Sequence, residues 1–170
     1  DSAGIVLESA QNKLELKKTK GKVSDLEEIA EGLKNTAHIG MGHTRWATHG
    51  VPSDRNSHPH LSNNGKIALI HNGIIENYKE LKDELISKGH KFVSQTDTEV
   101  IVHLFENFYN ILNDTTQAFK STISRLEGAF SILLITKADP KKVFFFKHGS
   151  PLIVAKGNEK EEVLFASSDA

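Results

Sequence analysis

Apolar positions fall into short runs whose spacing divides the 170 residues into strands, then helices, then strands. Residues 5–7 and 14–18 read as two strands around the polar stretch Ser9-Ala10-Gln11-Asn12, a hairpin. Ser24 with Glu27 spells a capping box, and Leu26, Ile29, Ala30 and Leu33 supply the apolar face of the helix it opens. Residues 37–41 and 66–70 are apolar runs bounded by Gly, Asn or His and predict buried strands. Between them, residues 43–64 show no sustained period and gather Gly50, Pro52, Pro59 and several histidines, which predicts a long functional loop.

Asn77 can cap a helix through Leu81, Leu85 and Ile86 to a stop at Gly89. Thr96 with Glu99 forms a second capping box, ahead of a stripe of Val100, Ile101, Leu104, Phe105 and Phe108. A third helix starts at Thr115 or Thr116, runs through Phe119, Ile123 and Leu126, and ends by Gly128. Residues 129–136, 143–147, 152–155 and 163–165 are apolar runs separated by turn residues. That order predicts an α+β fold with mostly antiparallel sheets in a single domain, residues 1–170.

Composition adds exclusions. With 38% apolar and 25% charged residues the chain has the make-up of a soluble globular domain. Twenty-one Lys and Arg against 22 Asp and Glu leave a net charge of -1, so neither nucleic acid nor an anionic membrane is an expected partner. No apolar run approaches the roughly 18 residues of a membrane span. Lys17, Lys18, Lys20 and Lys22 are expected to be solvated. The absence of cysteine removes disulfides, thiolate metal sites and any thiol nucleophile carried by these residues. A start at Asp1 without Met and an end at Ser168-Asp169-Ala170, just after an apolar run, suggest a fragment of a longer polypeptide.

Three segments carry candidate chemistry. His43-Thr44-Arg45-Trp46-Ala47-Thr48-His49-Gly50 offers a guanidinium fork for a carboxylate, an indole lid and short hydroxyl donors; a core Trp beside a surface Arg is the competing reading. His71-Asn72-Gly73 follows a strand, where an Asn side-chain amide and the next backbone amide can make a pair of oxyanion donors, or simply a turn. Asp97, in Ser94-Gln95-Thr96-Asp97-Thr98-Glu99, can favour a helix start or face an ammonium group. A metal hydrolase using His43, His49, His58 or His60 is disfavoured, because no helical His pair and no Cys completes a site, and no metal or cofactor is expected.

These segments, together with Asp1-Ser2-Ala3-Gly4, His58-Pro59-His60, Gly149-Ser150-Pro151-Leu152 and Phe165-Ala166-Ser167-Ser168-Asp169, resemble the glutaminase (type 2 glutamine amidotransferase) domain of the glutamine:fructose-6-phosphate aminotransferase family, over nearly the whole chain. The resemblance implies an N-terminal-nucleophile hydrolase fold, a four-layer αββα sandwich, here lacking its first strand and helix. In that family an N-terminal Cys thiolate attacks the glutamine carboxamide, and ammonia passes to a sugar-isomerising domain that makes glucosamine 6-phosphate. It further implies that Arg45 forks onto the glutamine α-carboxylate and Asp97 pairs with its α-ammonium. Asn72 and Gly73 would form the oxyanion hole, Thr48 and His49 would line a mobile loop, and Trp46 would close the pocket.

The nucleophile and the isomerising domain, through which fructose 6-phosphate would be bound, are absent from these residues. Ser2 is no substitute, because its own nitrogen is acylated. The expectation is a cytoplasmic enzyme with a homodimeric parent, whose 170 residues alone bind glutamine, do not turn over and self-associate. The alternative is a non-catalytic amino-acid-binding or interaction module on the same fold.

Overall fold

A computed structural model describes residues 1–9, 11–33, 37–46, 50–157 and 163–169. Strand β1 (Ser2–Ser9) pairs antiparallel with β2 (Leu14–Lys20) on one side and β3 (Ala37–Arg45) on the other, giving the order β2-β1-β3. The short helix α1 (Val23–Ala30) lies between β2 and β3 in sequence. A second antiparallel sheet has the order β4-β5-β6-β7, from β4 (His60–Leu61), β5 (Ile67–Gly73), β6 (Phe130–Thr136) and β7 (Phe144–His148). Helices α2 (Tyr78–Ser87), α3 (Glu99–Leu112) and α4 (Thr115–Ile123) connect β5 to β6, and β8 (Ile153–Lys156) pairs with β9 (Leu164–Ser167) as a separate ribbon.

The layering follows from the period of two in β5 and β6. Ile67 and Leu69 of β5 and Ile132 and Leu134 of β6 face the helices, where Leu81, Leu85, Ile101, Leu104, Phe105 and Phe119 pack on them. Their neighbours Ala68, Ile70, Leu133 and Ile135 point the opposite way, onto Val6, Met41 and Leu152. A sheet buried on both faces needs apolar residues at successive positions, which is why these strands read as continuous runs and not as alternations. Helix layer, sheet and sheet follow in order, and α1 is set against β1 and β2 with no buried residue of its own. This is the α+β sandwich expected from the sequence.

Local chemistry corrects several boundaries. The stretch 43–64 is not one loop: residues 43–45 extend β3, and His60 and Leu61 pair with Leu69 and Ala68. The Ser24/Glu27 box does not form; the Lys22 N–H donates to Asp25 Oδ2 at 2.8 Å and α1 begins one residue earlier. Helix α3 begins at Glu99 rather than three residues before it, and the Glu99 carboxylate accepts the backbone N–H groups of Val93 and Ser94 at 2.9 and 2.6 Å. Asp114 caps α4 by accepting the Gln117 N–H. Nor are all four lysines solvated: the Lys18 ammonium reaches the carbonyl of Pro59 at 3.3 Å, and burial lowers its pKa to about 8 against the pull of Glu99 and Asp54.

Candidate active site

The site lies where the ends of β3 and β5, one from each sheet, meet the turn that precedes α3. Alternation along β3 turns His43 and Arg45 inward, and Arg45 is buried at 6% exposure while Trp46 is 80% exposed. The structure therefore inverts the core-Trp, surface-Arg alternative. A cation is buried and an indole stands at the rim.

Arg45, Trp46, Asn72, Gly73 and Asp97 line one cavity of about 720 Å³, with Gly42, His43, Thr44, His58, His71, Ile74, Thr96, Thr98, Ser168 and Asp169. That volume falls within the range of small-molecule sites. Thr48 and His49 lie outside the described residues. Arg45 Nη2 donates to the Gly50 carbonyl at 3.2 Å; burial lowers its pKa while the Asp97 carboxylate opposes that shift, so the two charges sense each other. Asp97 is buried too, and its Oδ2 accepts the Ile75 N–H at 2.9 Å, which ties the turn before α3 to the chain just past β5.

His43 Nε2 lies 2.7 Å from Asn72 Oδ1. A carbonyl oxygen only accepts, so the imidazole carries its proton on Nε2 and the Asn72 NH2 is left as donor. Burial lowers the pKa of His43, which keeps that neutral tautomer in place, while the hydrogen bond it donates to Asn72 opposes the shift. Gly73 has φ +109, and a Cβ there would meet the Ala129 carbonyl oxygen at 2.1 Å. Only glycine fits that turn out of β5.

A hydrogen-bonded histidine group backs the cavity. The His71 N–H donates to His58 Nδ1 at 3.3 Å, so His58 Nε2 carries the proton it gives to Thr98 Oγ1, also at 3.3 Å. Thr98 then donates to His71 Nδ1 at 2.9 Å, closing a ring that fixes both tautomers. His60 Nε2 meets Thr96 Oγ1 at 3.2 Å. Burial lowers all three, His58 well below its ordinary value, His60 to about 3 and His71 to about 4. The His58 and His43 rings stack at 4.2 Å and both His58 nitrogens are occupied, so these histidines do not converge as metal ligands.

His43, which the sequence offered only within the His43–Gly50 segment and as a disfavoured metal ligand, instead meets the Asn72 side chain. The signal was available: it stands two residues from Arg45 on the same strand face. Ser2 is buried within β1, in register with Arg45.

Two face-to-face sheets under helices, with opposed charges and an Asn amide gathered at the strand ends, define an N-terminal-nucleophile hydrolase fold. The chain belongs to the glutamine amidotransferase domain family, whose model matches residues 43–170. It is 52% identical over 172 residues to a glutamine–fructose-6-phosphate aminotransferase (isomerizing) of Helicobacter pylori, covering 99% of this chain and 28% of that protein. Identity to the enzyme of the same name from Sulfurisphaera tokodaii is 47% over 169 residues, again 99% of this chain and 28% of the relative. Among solved structures, glutamine phosphoribosylpyrophosphate amidotransferase from B. subtilis superposes with a TM-score of 0.77 at 28% identity, over 93% of this chain and 34% of that one. The chain thus spans a little over a quarter of the length of the aminotransferases it matches.

Proposed function

We propose that these 170 residues form one glutaminase unit that holds L-glutamine between Arg45 and Asp97, as part of a polypeptide that transfers the amide nitrogen to fructose 6-phosphate. The observation that carries the reading is the meeting of Arg45, Asp97, Asn72 and Gly73 on one cavity. Arg45 pairs with the α-carboxylate and Asp97 with the α-ammonium, so the two charges select a zwitterionic amino acid. The Asn72 amide, oriented by His43, and the Gly73 N–H face the carboxamide carbon and stabilise the oxyanion formed on attack, about 3 kcal/mol for each donor. Trp46 covers the bound ligand, and Thr48 and His49 are assigned to glutamine by the family resemblance alone. The attacking thiol comes from outside these residues, since they contain no cysteine. The parent is read as a cytoplasmic homodimer that needs no cofactor for this half-reaction.

Calorimetric titration of the chain with L-glutamine tests the reading, with D-glutamine and glutaramic acid, which lacks the α-ammonium, as controls. Saturable binding of L-glutamine alone is the expected result. Equal binding of glutaramic acid, or no binding of L-glutamine, would overturn it. Ammonia release should stay at the buffer background, and release at the rate of a working glutaminase would refute the claim that the thiol is supplied from elsewhere. The second reading, a binding module that never turns over, is favoured by the same lack of cysteine; a cysteine-bearing segment encoded in frame with these residues excludes it.

A further inference from the structure

We propose that His90, His103 and Glu106 form a site for one divalent transition-metal ion of the zinc class, separate from the glutamine cavity. His103 and Glu106 stand three residues apart on one face of α3, and His90 follows Gly89 at the end of α2, where its N–H donates to the Leu85 carbonyl at 3.0 Å. One helix and the chain just past another thus bring three ligands close together.

The geometry fits a small tetrahedral ion. Glu106 Oε2 lies 3.4 Å from His90 Nδ1 and 3.7 Å from His103 Nδ1, and one ligand atom from each of the three residues falls within 4.8 Å of the others. Ligands held about 2.0–2.1 Å from a tetrahedral centre are separated by about 3.4 Å, close to the spacing found here.

His103 supplies the independent observation. It is fully buried, and its Nε2 lies 3.3 Å from Glu99 Oε1, so the proton sits on Nε2 and the lone pair on Nδ1. That Nδ1 has no hydrogen-bond partner and faces the Glu106 carboxylate, another electron-pair donor, across a distance too long for a hydrogen bond. Two lone-pair donors converging in a buried place repel unless a metal ion or a proton lies between them, and the titration below separates the two. A carboxylate on the far nitrogen of a histidine is also the usual outer support of a metal-bound imidazole. The Glu106 carboxylate is held in turn by the N–H groups of Asn63 and Asn64, at 3.3 and 3.4 Å.

Two nitrogens and one carboxylate oxygen suit zinc, cobalt or nickel, whereas magnesium and calcium prefer oxygen ligands throughout. Asn63, Asn64, Lys88 and Asn110 border an open cleft of about 450 Å³ beside His90 and Glu106, with room for water as a fourth ligand. The cleft shares no lining residue with the glutamine cavity, so the ion's effect is to pin the end of α2 to α3.

The chain, stripped with chelator, is titrated with ZnCl2 and, in parallel, with CoCl2. Expected are one equivalent of zinc retained after dialysis, a raised melting temperature, and the visible d–d absorption of tetrahedral Co2+. His90→Ala and Glu106→Gln should each weaken zinc binding at least tenfold, with unchanged far-UV circular dichroism for His90→Ala, whose side chain is partly exposed. If Glu106→Gln does not fold, His90→Ala alone decides. No stoichiometric uptake would overturn the proposal and leave His103 as an imidazolium shared by Glu99 and Glu106. Uptake unchanged in His90→Ala would overturn it as well, by assigning the metal to other histidines.

Discussion

Acidification from pH 7 to pH 5 should destabilise the fold by an amount set by the histidines behind the cavity. His60 and His71 are buried and neutral, with pKa values of about 3 and about 4 in the fold, against about 6.5 in an unfolded chain. The unfolded chain therefore takes up protons that the folded one refuses, so the contribution of each histidine is complete above pH 6.5 and is lost as pH falls toward the folded value. At pH 5 the medium lies about 1.5 pH units below the unfolded value, and each residue has then cost about 2 kcal/mol. The two together cost about 4 kcal/mol, and His58, held well below its ordinary value by burial, adds to it. His103 has the opposite sign: despite burial, the Glu106 and Glu99 carboxylates raise its pKa, so it gains a little over the same interval and offsets part of the loss. Glu99, held at about 2 by His103, Ser94 and Val93 against its burial, loses its contribution only below the ordinary carboxylate range and leaves this window alone. Against a typical total of roughly 5–15 kcal/mol, a loss of about 4 is large. Urea unfolding in chelator-containing buffer, followed by circular dichroism at pH 7, 6 and 5, measures it. A stability that changes by less than about 1 kcal/mol from pH 7 to pH 5 would refute the assignment of these histidines as buried and neutral. His60→Gln should remove about 2 kcal/mol of the pH dependence while leaving the rest.

Other outcomes follow from single contacts. Asp97→Asn and Arg45→Ala should each weaken L-glutamine binding by about 10- to 100-fold, the worth of a charge-assisted pair, read by calorimetry. Gly73→Ala should cost at least about 2 kcal/mol in urea unfolding, because the new Cβ would meet the Ala129 carbonyl at a position whose φ is +109. Leu104→Ala, at a fully buried position between helices and sheet, should cost about 2–5 kcal/mol. By contrast Glu84→Ala should cost less than about 1 kcal/mol, since the Glu84–Arg125 and Glu84–Lys88 pairs are partly exposed. Light scattering should show self-association, because Leu164 and Phe165 are exposed on the β8–β9 ribbon and β3 is an edge strand among the described residues; a monodisperse monomer would contradict that.

The sequence by itself determined the elements and the chemical inventory. Runs such as Ala68-Leu69-Ile70 and Ile132-Leu133-Leu134, short and bounded by turn residues, read as buried strands, and the order of strands and helices followed from period and turn residues, which are local properties of the chain. Its motifs also named Arg45, Asn72, Gly73 and Asp97, through their joint resemblance to a known family, because each alone had a plain structural use as well. Local signals failed where a distant partner decided the outcome. The two capping boxes read from spacing gave way to Asp25 at Lys22, and to Glu99 at the amides of Val93 and Ser94. Only the tertiary structure put Arg45 inside and Trp46 outside, set His43 against Asn72 across two sheets, and drew His90 up to His103 and Glu106. Such pairings depend on sheet register and on how layers stack, and no single stretch of sequence encodes either.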